Sequence, residues 1–302
     1  MRFHQFDLNL LVYLEALLAE KSVSKAAASV FISQSAMSLA LSRLRQHFGD
    51  DLLVQVAGRK MVLTPLAESL AAPVRDILLQ MQSVATATAN FDPSKSNRKF
   101  TIMASDYAVD VLLKPVVAQL FQKAPGIRVV VRRLVTTSSE EMKRPEVDLL
   151  IAPGSSVSEE LPSEPLWEDT MTCIVWSRNR TVGKEISLDQ YMKMGHVCNL
   201  MDGHTPPDHD RWFLNSFGST RKVEVVVPDF GMVCQMVEGT DRIATVHLRQ
   251  AKLYAKQFSL RLVKPPVEFP RFIELVQWHR HQERDSALVW LRGFLKSVAA
   301  EI

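Results

Sequence analysis

The sequence has few cysteines, no long apolar run and little net charge. Its three cysteines are odd in number and widely spaced, so neither a disulfide framework nor a paired-cysteine zinc site is indicated, and reduced thiols are expected. Every apolar stretch is broken by charges before the roughly eighteen residues needed to cross a bilayer, and no signal-type apolar region follows residues 1–7. A cytoplasmic protein with no membrane partner is therefore expected.

The net charge of +3 is too small to predict nucleic-acid binding, which needs basic groups concentrated on one surface. The 302 residues, 47% of them hydrophobic and 23% charged, are typical of a folded protein with a sizeable core and at least two domains. Any nucleic-acid-binding function must therefore be inferred from local sequence patterns.

Three helices are predicted in the first fifty residues. Leucines at helical spacing follow Asp7, Ser24 can cap a short second helix, and Ser33 stands as the N-cap of a third helix that ends near Phe48. The third helix buries one face and presents hydroxyl, amide and guanidinium groups on the other, which suits entry into the major groove. An ordinary three-helix bundle with a solvated face would show the same amphipathic pattern.

The segment after the third helix favours DNA binding. Two short predicted strands, 52–56 and 61–63, enclose a turn that carries Arg59 and Lys60, as expected for the wing of a winged helix-turn-helix. Basic side chains on this turn and on the third helix would contact phosphates on either side of the groove. The predicted DNA-binding residues are Ser24, Ser33, Gln34, Ser35, Ser38, Ser42, Arg43, Arg45, Arg59 and Lys60.

A long linker helix is predicted over residues 66–91, after a DNA-binding domain of residues 1–65. Apolar residues recur every three or four positions, and Pro73 should bend the helix unless a new helix starts there. Pairing with the same helix of a second subunit would bury the apolar seam, with packing on the chain's own second domain as the alternative. The predicted seam residues are Leu66, Leu70, Val74, Ile77, Met81 and Val84.

From Phe100 onward, β-branched runs alternate with helical patterns in two series, which predicts two α/β lobes built from parallel βα units. Proline-rich segments place lobe I at about 92–165 and 269–302, and lobe II at about 166–268. Ligands of such folds bind between lobes, at the carboxyl ends of strands. The predicted effector-binding residues are Ser105, Asp106, His196, Asn199, His204, Thr205, Phe230 and His247, although each histidine alone is more often a surface or core residue.

Five short motifs occur in order in the first sixty-five residues. They are DLNLL at 7–11, SKAAA at 24–28, SQSAMS at 33–38, RLR at 43–45 and LTP at 63–65. Together they resemble the DNA-binding domain of LysR-type transcriptional regulators. Many members of that family have proline where this chain has Ser35 and glutamate where it has Arg45, and the second departure adds a positive charge.

Further motifs extend the resemblance over the whole chain. They are FDP at 91–93, SD at 105–106, MGHV at 194–197, GTDRIAT at 239–245, LVQW at 275–278 and WLR at 290–292. They are similar to the branch of the family that includes rhizobial nodulation regulators and salicylate-responsive naphthalene-degradation regulators. The resemblance implies an α/β fold class: an N-terminal winged helix-turn-helix, a long linker helix and a two-lobed, periplasmic-binding-protein-like effector domain.

The resemblance also implies how such a protein works. Dimers, usually assembled into tetramers, would bind dyad-symmetric double-stranded promoter DNA, activate transcription through RNA polymerase and need no cofactor. The branch implies a small aromatic effector, either a hydroxybenzoate or a flavonoid. A regulator that senses a non-aromatic metabolite, a metal or the redox state is the alternative.

Two of these alternatives can be assessed from the sequence. A metal sensor could use His204, Asp208, His209 and Cys198, but the loop lacks the paired spacing of zinc sites. A thiol-redox sensor would need surroundings that lower a cysteine pKa, and neither Cys198 nor Cys234 has such neighbours in the sequence. The sequence therefore favours neither a metal sensor nor a redox sensor.

Two other classes of protein fit less well. An enzyme is disfavoured because residues 154–156 lack the nucleophile elbow, no glycine-rich phosphate loop follows a strand, and no carboxylate pair has a spacing that indicates acid-base chemistry. A solute-binding protein could share the two lobes but would need an export signal and would have no use for the first ninety residues.

Overall fold

A computed structural model describes residues 6–56, 60–85, 91–135, 142, 146–200, 206–218 and 221–302. The chain separates into two units, residues 1–87 and 88–302. In the described ranges, no helix is both long enough and apolar enough to span a membrane.

Within its described residues, the N-terminal unit has three short helices, a two-stranded hairpin and one long helix. In chain order these are α1 (Asn9–Glu20), α2 (Val23–Ser29), α3 (Gln34–Phe48), β1 (Leu53–Val56), β2 (Lys60–Leu63) and α4 (Pro65–Ala85). The two strands are antiparallel, with Val54 opposite Val62. Leu14, Met37 and Leu44 are fully buried where the first three helices meet, so the hydrophobic periodicity of the sequence forms one core.

The ends of α2 and α3 are fixed by serine caps and one glycine. The Ser33 hydroxyl accepts a hydrogen bond from the backbone N–H of Ala36 at 3.2 Å. At α2 the N-cap is Ser22, whose hydroxyl accepts from Lys25 N–H at 3.4 Å, and the prediction of Ser24 as this cap is wrong. Gly49 ends α3 in the left-handed conformation, with φ of 63°, which glycine adopts at little cost.

The long helix α4 divides its apolar residues between two directions. Val74 is buried in the core of the N-terminal unit, and Arg75 Nε lies 3.6 Å from Glu15 Oε1 on α1. Ile77, Met81 and Val84 remain exposed at spacings of four and three residues. The predicted seam is therefore split, since part of it covers the unit's own core. The helix is continuous through Pro73.

The C-terminal unit contains two five-stranded sheets. The first has the order β4-β3-β5-β12-β6 and the second β11-β7-β10-β8-β9. The strands of the first sheet are β3 (Lys99–Ala104), β4 (Arg128–Arg133), β5 (Leu149–Pro153), β6 (Ser163–Asp169) and β12 (Phe272–Gln277). Those of the second are β7 (Met171–Trp176), β8 (His196–Asn199), β9 (Val223–Val227), β10 (Ile243–His247) and β11 (Leu260–Val263).

Both sheets are mixed rather than purely parallel. In the first, β3 is parallel to β4 and β5, whereas β12 is antiparallel to β5 and β6. In the second, β8 is parallel to β9 and β10, whereas β7 is antiparallel to β10 and β11. The expectation of parallel units throughout is therefore wrong for β7 and β12. The chain passes from the first sheet to the second at Thr170, whereas the predicted passage lay at 165–166.

Helices cover the sheets. They are α5 (Asp106–Ala108), which continues through a π-helical turn (Val109–Leu113) into α6 (Lys114–Lys123), then α7 (Leu188–Lys193), α8 (Asp208–Phe217), α9 (Phe230–Val237), α10 (Leu248–Tyr254) and α11 (Ser286–Ala299). Leu288, Leu291 and Leu295 of α11 pack in one core with Phe100 of β3. The last helix therefore returns to the first sheet, as the sequence predicts. We use lobe I and lobe II for the parts built on the first and second sheets.

Candidate functional site

The exposed face of α3 carries small polar side chains around one leucine. Ser35, Ser38 and Ser42 are exposed on it, as are Gln34 and the capping residue Ser33. Leu39 is 65% exposed although it is a large apolar residue. Sequence reasoning missed Leu39, which a helical projection places opposite the buried stripe and beside Ser35 and Ser42.

The turn before α3 adds a second exposed apolar group. Phe31 is 95% exposed and has φ of 58°, a conformation that is uncommon for residues other than glycine. On α2, Ser24 is exposed and its hydroxyl lies 3.2 Å from that of Ser22. Small hydroxyl groups and two apolar side chains thus share the N-terminal end of α3.

The two arginines of α3 have different surroundings. Arg45 Nε donates to the carbonyl oxygen of Asp51 at 2.7 Å, and Arg45 Nη2 donates to that of Leu53 at 2.8 Å. Arg43 is half exposed, with Nη1 3.5 Å from Asp7 Oδ2. Arg45 was predicted to face DNA, but here its guanidinium joins α3 to the start of the hairpin. Arg59 lies outside the described residues, as does the side chain of Lys60.

Alanine substitution should lower the stability of the N-terminal unit far more at Arg45 than at Arg43. Arg45→Ala leaves two carbonyl groups of the hairpin without their charged donor, so the free energy of unfolding of the N-terminal unit should fall by about 2 kcal/mol. Arg43→Ala, the matched control, should change it by less than about 0.5 kcal/mol because its ion pair is exposed. Thermal and urea unfolding followed by circular dichroism would measure both. Equal stability of the two variants would contradict the role given to Arg45.

A cavity of about 530 Å³ lies between the two lobes of the C-terminal unit. Aromatic rings form much of its wall, from Tyr107 after β3, Trp212 on α8, Phe230 on α9 and Phe272 on β12. The residues come from both sheets because the ends of β3, β10 and β12 meet between the lobes. Such a ring-lined cleft between two lobes is typical of a small-molecule site.

Three predicted effector-binding residues line this cavity. They are Ser105, Phe230 and His247. Ser105 is also engaged as a cap, since its hydroxyl accepts from Ala108 N–H at 3.1 Å. His204 and Thr205 lie outside the described residues.

The other three predicted residues are placed elsewhere. Asp106 Oδ2 accepts from Gly231 N–H at 2.8 Å and so joins lobe I to lobe II. His196 and Asn199 are buried on β8, and neither is among the described residues around the cavity. His196 Nε2 lies 2.7 Å from the Tyr191 carbonyl oxygen, and burial lowers the pKa of His196 to about 4.

His247 forms an aromatic cluster at the cavity. Its ring stacks on Tyr107 with centroids 3.9 Å apart and meets the ring of Phe230 at 4.5 Å. Burial lowers the pKa of His247 well below its usual value, so the imidazole is neutral. Its Nδ1 atom has no hydrogen-bond partner in the described part of the chain. A neutral imidazole whose Nδ1 has no partner among the described residues therefore lies among flat rings in the cavity wall.

The orientation of Tyr107 is fixed by hydrogen bonds. Its hydroxyl donates to Asp169 Oδ2 at 2.7 Å and accepts from Trp167 Nε1 at 2.9 Å. Asp169 Oδ2 also accepts from the backbone N–H of Arg249 at 3.1 Å. Because these partners hold the hydroxyl away from solvent, the Tyr107 ring is a preorganised wall of the cavity.

Glu274 is an acidic group of the cavity that sequence reasoning missed. It lies on β12, is 2% exposed and lines the cavity, and its Oε2 atom has no hydrogen-bond partner among the described residues. Burial, and then the charges of Asp169 and Asp208, raise the pKa of Glu274 to about 8. A single carboxyl group between apolar Ile273 and Leu275 is the sequence signal that could have indicated it.

Polar contacts join the lobes around the cavity. Arg133 Nη2 pairs with Asp229 Oδ1 at 2.8 Å, and Ser155 hydrogen bonds to Asp208. Asp110 Oδ2 accepts from the amide of Gln250 and the hydroxyl of Tyr254, both at 2.9 Å. Side chains of both lobes thus form an ion pair and hydrogen bonds with each other. A change in the separation of the lobes would break these contacts.

The three cysteines have the properties of structural thiols. All are buried, and burial raises the pKa of Cys198 to about 11 and that of Cys173 and Cys234 to about 12. They are therefore protonated and poorly reactive at neutral pH. In the part of the chain that the structure describes, no group of three or more histidine, cysteine, aspartate or glutamate side chains could hold a metal ion.

Comparison with known proteins assigns both units. Residues 94–300 match the LysR substrate binding domain, and residues 8–68 match the bacterial regulatory helix-turn-helix proteins of the lysR family. The chain belongs to the LysR family of transcriptional regulators. The LysR resemblance and the predicted fold class are confirmed, and the chain is a DNA-binding transcription regulator from a family of regulators, not of enzymes.

Individual LysR relatives match over the whole chain. Nodulation protein D 1 of Bradyrhizobium sp. (strain NC92) is 38% identical over 302 residues, which covers 100% of this chain and 96% of that protein. Nodulation protein D 2 of Rhizobium tropici is 40% identical over 300 residues, which covers 99% and 95%. A solved structure of a probable transcriptional regulator from Pseudomonas aeruginosa is 28% identical, with a TM-score of 0.66 over 98% of both chains.

Proposed function

We propose that this LysR regulator binds a small aromatic effector, of the hydroxybenzoate or flavonoid class, in the cavity between its lobes. The observation that carries the proposal is the ring-lined space of about 530 Å³ around the neutral His247. Flat ligand rings gain from stacking on Tyr107 and Phe230 as well as from burial. The buried, protonated thiols disfavour redox sensing, which is one of the alternative inputs.

The effector would act by changing how the lobes close. A ligand shifts a conformational equilibrium only when it binds one state better, and this cavity takes residues from both lobes. The contacts Asp106 to Gly231 and Arg133 to Asp229 would form or break as the lobes move. We infer that this change in closure is passed on to the DNA-binding units of a tetramer.

On the DNA side, α3 would enter the major groove by its exposed face. Ser33, Gln34, Ser35, Ser38 and Ser42 supply hydrogen-bonding groups there, and Leu39 supplies an apolar contact for a thymine methyl group. Arg43, Arg59, Lys60 and Ser24 would contact phosphates.

Assembly would pair two copies of the chain through α4. The exposed residues Ile77, Met81 and Val84 form an apolar strip that a second copy of the helix can bury. Two α3 helices would then meet a dyad-symmetric promoter site in the cytoplasm, where the bound regulator activates transcription by contacting RNA polymerase.

Removing one ring of the cavity tests the aromatic effector. Apigenin, a hydroxylated flavone, and salicylate would be titrated into the full chain while the thermal unfolding midpoint is recorded, because a ligand of the folded state raises it. Phe230→Ala should weaken the binding of the active compound by roughly tenfold, since one stacking wall is lost. Phe258→Ala is the matched control, because Phe258 stacks on Tyr254 and does not line the cavity. Unchanged midpoints with both compounds would contradict the proposal.

A further inference from the structure

Glu274 is a buried carboxyl group that the fold leaves without a hydrogen-bond partner at Oε2 in the described part of the chain. We propose that the Glu274 carboxyl group binds a phenolic hydroxyl of the effector and selects hydroxylated aromatic compounds over unhydroxylated ones. The inference rests on the aromatic-effector function proposed above and assigns to one residue the choice among aromatic compounds.

The first argument is the energetic cost of burying Glu274 Oε2 without a hydrogen-bond partner. A buried polar atom without a partner costs about 1 to 3 kcal/mol, and such atoms in native proteins usually have a ligand, a water or an ion as partner. Glu274 Oε2 and His247 Nδ1 are two such atoms, and their residues line the same cavity. A ligand that carries hydroxyl groups would satisfy atoms that the protein itself does not.

The second argument is position. Glu274 lies on β12, next to Phe272 on the ring-lined wall, and it is 2% exposed. On the neighbouring strand β6, Asp169 is already occupied by the Tyr107 hydroxyl and by the Arg249 N–H. Of these two carboxyl groups, Glu274 is therefore the one that lines the cavity and has an oxygen without a hydrogen-bond partner in the described part of the chain.

The third argument is charge. Asp169 and Asp208 lie close enough to Glu274 to disfavour its ionisation, so a ligand carboxylate placed there would add negative charge to an acidic neighbourhood. Arg271 also lines the cavity, but its side chain is 75% exposed and lies 3.4 Å from Glu168. A hydroxyl is neutral, and it can both donate to and accept from a protonated carboxyl group. The chemistry at Glu274 thus matches a phenol.

A cycle of two variants and two pairs of compounds tests the assignment. Apigenin and flavone differ only in hydroxyl groups, as do salicylate and benzoate, so each pair reports what the hydroxyls contribute. Binding to the full chain would be measured by calorimetry for the wild-type chain, for Glu274→Met, which is apolar and of similar length, and for Glu274→Gln, which retains donor and acceptor atoms. Thermal unfolding of each variant reports whether it folds.

The wild-type chain should bind the hydroxylated member of at least one pair about tenfold or more tighter than its partner, because an unpaired buried group penalises the ligand that lacks the hydroxyl. Glu274→Met should reduce that preference to about threefold or less, and Glu274→Gln should keep most of it. A preference that is unchanged in Glu274→Met, or lost in a folded Glu274→Gln, would overturn the assignment and leave the aromatic site standing. Failure of all four compounds to bind the wild-type chain would contradict the aromatic effector itself and the role of Glu274 with it.

Discussion

Glutamate in place of Ser35 is expected to lower the affinity for promoter DNA on the order of 100-fold without unfolding the N-terminal unit. Ser35 is exposed in the first turn of α3, which contains no acidic residue. A carboxylate at this point would meet phosphates and base edges with the wrong charge and with added bulk. The same carboxylate would stabilise the helix by about 0.5 kcal/mol, because it lies at the positive end of the helix dipole.

The opposite signs of the two effects make this variant informative. Affinity would be measured by fluorescence anisotropy on the DNA that flanks the gene of this protein, and stability by circular dichroism. Ser163→Glu adds the same charge at an exposed position at the start of β6, in the other unit, and serves as the control. If Ser35→Glu bound DNA as tightly as Ser163→Glu, the exposed face of α3 would not be the DNA-reading surface.

Exchange of Glu274 for glutamine should stabilise the C-terminal unit at high pH and lose that advantage at low pH. The pKa of Glu274 is raised from 4.5 in the unfolded chain to about 8 in the folded one, chiefly by burial. Between these values the folded chain holds a proton that the unfolded chain has lost, so raising the pH favours unfolding. The resulting decrease in the free energy of unfolding reaches its full size above the pKa of the folded state and is on the order of 5 kcal/mol.

Tryptophan fluorescence can follow this unit alone, because all five tryptophans lie within residues 88–302. Unfolding of the wild-type chain and of Glu274→Gln would be compared at about pH 4, 7 and 9, which lie below, between and above the two pKa values. Glu168→Gln is the control, since Glu168 lies on the neighbouring strand but is half exposed in a surface pair with Arg271. Parallel pH profiles for the wild-type chain and Glu274→Gln would mean that Glu274 is already ionised in the folded protein.

The sequence predicted the helices and strands that are specified by residues within the segment itself. Helix α3 was predicted from its apolar period and from the Ser33 cap. Strands β6 and β12 were missed because their identity depends on pairing with each other and with β5, far away in the sequence. A strand inserted antiparallel between two others leaves no periodic signal of its position.

Only part of the candidate site was predicted, again because nearby residues specify some of its members and distant contacts specify the others. Ser105 follows β3, His247 ends β10 and Phe230 begins α9, so a rule about strand ends and helix starts could find them. Arg45 and Asp106 were expected to face ligands, but backbone groups of Leu53 and Gly231 are their partners, and such partners cannot be recognised from side-chain chemistry. Tyr107 and Glu274 were missed because their role depends on the closure of two lobes around them.

Footprinting on the DNA that flanks the gene, with and without apigenin or salicylate, tests the central claim most directly. The account predicts protection of a dyad-symmetric site that weakens steeply as salt rises, and a changed pattern of cleavage within or beside that site when the effective aromatic compound is added. Protection that is absent would contradict DNA reading by α3. Protection that is present but identical with and without every aromatic compound would contradict the link between the inter-lobe cavity and the DNA.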